Sequence, residues 1–193
     1  MTYGDRFERA LIYAARLHRE QKRKTTDIPY VTHLLAVASL VGEAGGSEDA
    51  VIAALLHDAV EDQGGQKVLE DIRQQFGDRV GDIVWECTDA DQMPKPPWRE
   101  RKEAYIRHLA HALPESRLVS CADKLHNARS IVADLHIQGK ASFDKFKGGL
   151  EGTLWYYRAI CNTLAQQSEP PSLLPELQRT VTVMEQLAGV SES

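Results

Sequence analysis

The sequence predicts an all-α fold, a bundle of about eight to nine helices in a single domain covering residues 1–193. Three observations carry that expectation. Apolar residues recur at steps of three and four along most of the chain, no segment alternates apolar and polar residues as a strand ladder would, and Gly, Pro and Ser/Thr positions interrupt the pattern at helix-length intervals. The 193 residues are 42% hydrophobic and 26% charged, a globular composition at a size one core fills well.

Phe7, Leu11, Ala14 and Leu17 or His18 are spaced by four and three, with Arg6, Glu8, Arg9 and Arg16 mostly elsewhere on the wheel, which predicts an amphipathic helix over residues 5–21. QKRKTTDIP then reads as a basic loop in which Pro29 opposes helix. Thr32 is the expected N-cap of a second helix through HLLAVASLV, ended by Gly45 and Gly46. Ser47, with Glu48 and Asp49 in the first turn, opens a third helix, SEDAVIAALLHDAVED, closing at Gly64 and Gly65. QKVLEDIRQQF and GDRVGDIVWECTD are shorter helices separated at Gly77. DADQMPKPPW holds three of the eight prolines and reads as a loop, after which RERKEAYIRHLAHAL is helical as far as Pro114. A long helix over about 115–135, a break at Gly139, a helix over about 143–166, the SEPPS linker and a last helix over about 173–187 complete the chain. Leu173, Leu177, Val181, Met184 and Leu187 give that last helix an apolar face for its own domain or for a second subunit, with own-domain packing expected.

Lys and Arg number 23 against 28 Asp and Glu, a net charge of −5, so neither nucleic acid nor an anionic membrane surface is an expected partner. The three cysteines, Cys87, Cys121 and Cys161, are odd in number, widely spaced and form no C-x-x-C pair, which fits a reducing cytoplasm. No leader-like apolar stretch opens the chain, and no window approaches the roughly 18 to 20 apolar residues that cross a bilayer.

The third helix carries the clearest chemistry. Residues 51–56 are apolar all round, so this rod has no solvent face, yet His57, Asp58, Glu61 and Asp62 follow within six positions. At about 100° per residue His57 sits over Glu61 and Asp58 over Asp62. The same residues occur where a helix emerges into water, but acids at a helix C-terminus oppose its dipole. A divalent cation would compensate them. His33 opens the apolar face of the second helix. Ser116, Ser120, Asp123, Asn127 and Ser130 form a line of small polar side chains along the long helix, which either walls a polar cavity or forms an ordinary solvent-facing edge. Two imidazoles and two carboxylates suit manganese, iron or zinc better than magnesium or calcium. His108 and His111, one helical turn apart beside Arg107, read as surface or packing residues.

In their order along the chain, RKTTDIPYVTH, LLHDAVED, FGDRV, TDADQMPK, ERK and ADKLHN resemble the HD-domain phosphohydrolases, and within them the hydrolase domain of RelA/SpoT-type alarmone enzymes, over residues 6–160 or so. The length leaves no room for a synthetase domain, so the resemblance is to a free-standing small alarmone hydrolase with an HD-domain helical bundle. It implies manganese-dependent removal of the 3′-pyrophosphate of (p)ppGpp to give GDP or GTP and pyrophosphate. It assigns His33, His57, Asp58 and Asp123 as manganese ligands and Glu61 and Asp62 to the proton of the attacking water. Asn127 falls near nucleotide and water, Arg23 and Lys24 on the nucleotide, Lys95, Arg101 and Lys102 in a second basic stretch, and Tyr156 at a nucleotide-contacting tyrosine. Leu34 stands where many long enzymes have proline, and the DADQMP segment lacks their lysine. Both departures flank the base pocket, which leaves an adenine alarmone such as (p)ppApp open beside guanine. A nucleoside monophosphate substrate and a non-catalytic alarmone-binding protein are the other readings.

Overall fold

The computed structural model describes residues 2–89 and 94–190 and is helical as expected. The described residues form ten α-helices. They are α1 (Asp5–Leu17), α2 (Val31–Glu43), α3 (Glu48–Leu56), α4 (Ala59–Gln63), α5 (Gly65–Phe76), α6 (Asp78–Cys87), α7 (Trp98–Leu109), α8 (Pro114–Gln138), α9 (Gly149–Ala165) and α10 (Leu174–Leu187). A 3₁₀ segment, Gly139–Phe143, links α8 to α9.

The apolar rod is the centre of the bundle. Every residue of α3 from Ala50 to Leu56 is buried, and α1, α2, α6 and α8 pack around it. Ser47 caps the rod as expected, its hydroxyl accepting from the Ala50 N–H at 3.2 Å. α8 runs alongside with Pro114 in its first turn, where the missing N–H costs no helical bond. α10 packs on α8 and α9, burying Leu174, Leu177, Val181 and Met184, so its apolar face belongs to its own chain. No helix of the described residues is long and apolar enough to cross a membrane, and all three cysteines are free.

The structure corrects four details of the expected layout, and three of them shape the functional region. The predicted third helix is two helices, because Asp58 adopts φ −97° and ψ 0° and turns the chain between α3 and α4. The His57 ring takes the Ala54 carbonyl at 2.8 Å, a side-chain bond that competes with the helical backbone pattern and marks the break without any Gly or Pro. α1 ends at Leu17 rather than residue 21, since the His18 ring is buried, stacks on Tyr30 and bonds Gln21. Thr32 is not a cap: α2 starts at Val31 and the Thr32 hydroxyl donates back to the Pro29 carbonyl at 2.8 Å. α9 starts at Gly149, six residues late, because Gly149 has φ +57° and the chain before it turns. Residues 90–93 of the predicted Pro-rich loop lie outside the described residues.

Between α1 and α2 the basic loop folds back on itself. Lys22 and Pro29 form an isolated antiparallel bridge, Arg23 N–H donates to the Ile28 carbonyl at 2.8 Å and Tyr30 N–H to the Gln21 carbonyl at 2.9 Å. Thr25 takes φ +61° at the tip. The loop therefore presents Arg23 and Lys24 as a structured finger rather than a solvated tail.

Candidate metal centre and nucleotide cavity

His33 reaches inward from the first turn of α2, His57 and Asp58 from the α3–α4 turn, and Asp123 from the middle of α8. His33 Nε2 lies 3.6 Å from Asp58 Oδ2 and 3.2 Å from Asp123 Oδ1. His57 Nε2 lies 3.0 Å and 3.7 Å from the same two oxygens. Both imidazoles are buried, at 1% and 2% exposure, yet neither Nε2 makes a hydrogen bond. Two buried ring nitrogens without a hydrogen-bond partner, facing two carboxylate oxygens, form a donor set a divalent transition metal fits. Among the described residues, His33, His57 and Asp58 form a group whose ligand atoms all lie within 4.8 Å of one another.

The second layer of contacts holds these atoms in place. Tyr30 donates its hydroxyl to Asp58 Oδ2 at 2.5 Å, and the carboxylates of Asp58, Asp62 and Asp123, added to burial, push the phenol well above its usual pKa. Asn127 Nδ2 donates to Asp123 Oδ1 at 2.5 Å while Lys124 Nζ meets Oδ2 at 2.5 Å. Burial pushes Asp123 upward, and the Lys124 ammonium together with the facing His33 and His57 rings more than reverses it, so the carboxyl stands well below the usual range. Asp58 is treated alike, with His57 the main opposing charge. Burial presses the His57 imidazole down, and Asp58 and Asp123 together hold it well above its ordinary value.

His33, His57, Asp58 and Asp123 are not in the lining of the neighbouring cavity, but Tyr30, Lys124 and Asn127, which bond Asp58 and Asp123, are; that cavity, of about 510 Å³, is lined by seven lysine and arginine side chains and only two carboxylates. Arg23 Nη2 donates to Asn127 Oδ1 at 2.8 Å, linking the loop finger to the Asp123 side of the cluster. Lys24 donates to the Lys145 carbonyl across the mouth. On the facing wall, Lys102 pairs with Asp89 at 2.8 Å and lies 4.8 Å above the Tyr156 ring. Arg101 pairs with the same Asp89. Arg23, Lys24, Lys102, Asn127 and Tyr156 all line this cavity; of the rest of the second basic stretch, Arg101 lines it and Lys95 does not.

The Glu61–Asp62 pair divides. Glu61 lines the cavity, its Oε1 2.8 Å from Lys95 and 3.9 Å from Arg101. Asp62 is absent from the cavity lining and accepts from Gln21 Nε2 at 2.8 Å. Surrounding protein, then the negative charge of Asp58, raise its pKa to about 6. The polar line along α8 also divides. Ser116 and Ser120 are buried against α6 and α7, where Ser120 meets the Tyr105 hydroxyl at 2.7 Å, while Asn127 and Ser130 face the cavity. His108 and His111 take no part in the site.

Sequence reasoning missed three contributors. Tyr30, Lys124 and His126 each touch a ligand residue or its partner, and all three lie inside the motif strings PYVTH and ADKLHN. Their membership in those strings was the available signal, but their contacts depend on how α2, α3 and α8 pack.

The HD-domain family pattern matches residues 10–143 of the chain. The chain belongs to the HD-domain family. Within 122 residues, 62% of this chain and 65% of the relative, it is 40% identical to a guanosine-3′,5′-bis(diphosphate) 3′-pyrophosphohydrolase of Xenopus tropicalis. The human enzyme of that name is 39% identical over the same length. The chain thus spans about 65% of the length of the curated relatives it matches. A GTP pyrophosphokinase of Streptomyces coelicolor is 41% identical over 128 residues, which are 14% of that much longer protein. Among solved structures, a metazoan ortholog of SpoT described as hydrolysing ppGpp matches over 99% of this chain and 100% of its own, with a TM-score of 0.75 and 27% identity. A protein of Listeria monocytogenes matches over 81% of this chain with a TM-score of 0.69 and 33% identity.

Proposed function

We propose that this chain is a manganese-dependent pyrophosphohydrolase that removes the 3′-pyrophosphate of (p)ppGpp or a related alarmone, giving GDP or GTP and pyrophosphate. The observation that carries the reading is the junction of two features: two unpaired imidazole nitrogens and two carboxylates converge behind Tyr30, Lys124 and Asn127, which bond those carboxylates and line a cation-rich cavity. A highly anionic small molecule suits that cavity although the whole chain carries −5. The names of the relatives point to the same substrate.

In this reading His33, His57, Asp58 and Asp123 hold the divalent cation. When bound, it supplies a Lewis acid beside the phosphate and a water of lowered pKa. The water oxygen bonds to the phosphorus next to the ribose, the bond from that phosphorus to the 3′-oxygen breaks, and the departing 3′-oxygen takes up a proton from solvent to become the hydroxyl. Glu61 faces the cavity and accepts the proton of the attacking water, with Lys95 fixing the orientation of its carboxylate. Asp62, one residue further and raised towards neutrality, takes the proton onward. Arg23 and Lys24 on the loop finger, with Lys102 opposite, bind the phosphates by charge-assisted hydrogen bonds. Asn127 sits between Arg23 and Asp123, so one amide couples nucleotide contact to the orientation of a ligand carboxylate. Tyr156 offers its ring to the nucleotide beneath Lys102.

The chain is read as a single HD hydrolase domain over residues 1–193, and three free cysteines support a reducing, cytoplasmic setting. A panel of ppGpp, ppApp and nucleoside monophosphates with Mn²⁺ tests the proposal. Pyrophosphate release from ppGpp or ppApp that disappears in Asp58→Asn is expected. Turnover of monophosphates alone would place the chain among other HD phosphohydrolases. Tight ppGpp binding with no turnover would leave a binding protein.

A further inference from the structure

His126 lies on α8 three residues beyond Asp123, half-buried beside the cluster but outside the set of converging oxygens and nitrogens. Its Nδ1 is 2.8 Å from Nδ1 of His33, with the two rings 4.8 Å apart and tilted by 41°. Two ring nitrogens at that separation share one hydrogen: one donates and the other accepts through its lone pair. The two arrangements differ at the far side of the His33 ring. If His126 donates, neutral His33 carries its hydrogen on Nε2, where a metal ligand must offer a lone pair. If His33 donates, Nε2 is a free lone pair aimed at the cluster.

The structure favours the second arrangement on two counts. His33 Nε2 is buried and hydrogen-bonds nothing, although Asp123 Oδ1 lies only 3.2 Å away, so the alignment is not that of a donated bond. The second imidazole of the cluster is fixed in the same sense: His57 Nδ1 meets the Ala54 carbonyl at 2.8 Å, which only accepts, so the neutral His57 ring, the form that ligates a cation, keeps its hydrogen on Nδ1 and its lone pair on Nε2. A backbone carbonyl orients one ring, and a side chain from another helix orients the other.

We infer that His126 is a positioning residue whose Nδ1 accepts the Nδ1–H of His33 and thereby holds His33 in the tautomer that presents Nε2 to the cation. The inference rests on His33 being a cation ligand. Asp123, His126 and Asn127 stand at i, i+3 and i+4, so one turn of α8 supplies a ligand, the amide that steadies that ligand and the acceptor that orients a ligand on α2. Metal-site integrity is therefore tied to the seating of α8 against α2, two helices that pack directly.

The test uses Mn²⁺ alone, without nucleotide, on wild type, His126→Leu and His126→Asn, with far-UV circular dichroism and thermal melting as the fold control. Asn places its Oδ1 acceptor where the His126 Nδ1 stands. The expected result is a dissociation constant for Mn²⁺ raised about 10- to 100-fold in His126→Leu and restored most of the way in His126→Asn. Nitrogen NMR of the wild-type imidazoles should show His33 carrying its hydrogen on Nδ1. A folded His126→Leu protein that binds Mn²⁺ within about twofold of wild type overturns the inference, as does a wild-type His33 with its hydrogen on Nε2. If His126→Leu does not fold, the wild-type tautomer decides alone. Failure of the wild type to bind Mn²⁺ removes the cation site and this inference with it, whereas failure to turn over ppGpp bears only on the substrate.

Discussion

Single residues in this site do separable jobs, and each has its own measurement. Asp62 must be ionised to take a proton onward, and its pKa stands raised to about 6, by burial first and then by Asp58, against the lowering contacts of Gln21 and Lys95. Its charged fraction grows as pH rises through that value, so kcat is expected to climb between about pH 5 and pH 7 and level off above. In Asp62→Asn that acidic limb should vanish along with most of the rate; a limb that persists unchanged would assign the titration to another group. Arg23 binds through its guanidinium and touches Asn127 rather than the ligand oxygens. Arg23→Ala is therefore expected to raise KM for ppGpp about 10- to 100-fold, the cost of losing one or two charge-assisted bonds, with a smaller change in kcat. Steady-state kinetics at saturating Mn²⁺ separates the two. His33 and Asp123 joined the candidate ligands through the motifs PYVTH and ADKLHN, whereas His57 and Asp58 were legible as candidates because they follow an all-apolar run that burial explains. Tyr30, Lys124 and His126 were not: Tyr30 reaches Asp58 across 28 residues and His33 reaches His126 across 93, and no local spacing encodes such a contact.

At the scale of elements, α3 and the α7–α9 contact position everything else. Leu55 is fully buried in a rod packed on all sides, so Leu55→Ala leaves a cavity the bundle cannot close and should cost about 2 to 5 kcal/mol, read from urea denaturation. The Trp98 ring lies across the start of α9, where a Cβ on Gly148 would come within 2.6 Å of it and one on Gly152 within 3.1 Å. Gly148 has φ −82°, an ordinary value, so Gly148→Ala acts through this contact and not through the backbone. It is expected to cost about 1 to 3 kcal/mol and, because Trp98 lines the cavity, to raise KM as well. A variant with wild-type melting temperature and KM would show that Trp98 moves aside freely. The order of the helices, and their number apart from one, followed from three-and-four spacing and glycine punctuation. The break at Asp58 did not, since a turn made by a histidine bonding the carbonyl three residues back uses neither Gly nor Pro. The delayed start of α9 was hidden for a related reason: residues 143–148 keep a helix-compatible composition, and only the positive φ at Gly149 stops the helix.

Across the whole molecule, charge is distributed against the total. The chain carries −5, yet one cavity gathers seven cationic side chains and two carboxylates beside four metal-type ligands drawn from α2, the α3–α4 turn and α8. Overall charge argues against polymeric anions as partners, and it was silent about a small polyanion because the lysines and arginines that matter are separated by up to 124 residues, from Arg23 to Lys147. The HD-domain assignment and the match to a ppGpp-hydrolysing metazoan protein agree with that cavity. The most direct test of the central claim is pyrophosphate release from ppGpp by the purified chain, followed with Mn²⁺ present, after chelation and after Mn²⁺ is restored. The account predicts turnover with Mn²⁺, loss on chelation, recovery on restoration, and none of these in Asp58→Asn. Turnover that survives chelation, or that Asp58→Asn retains in full, would contradict it.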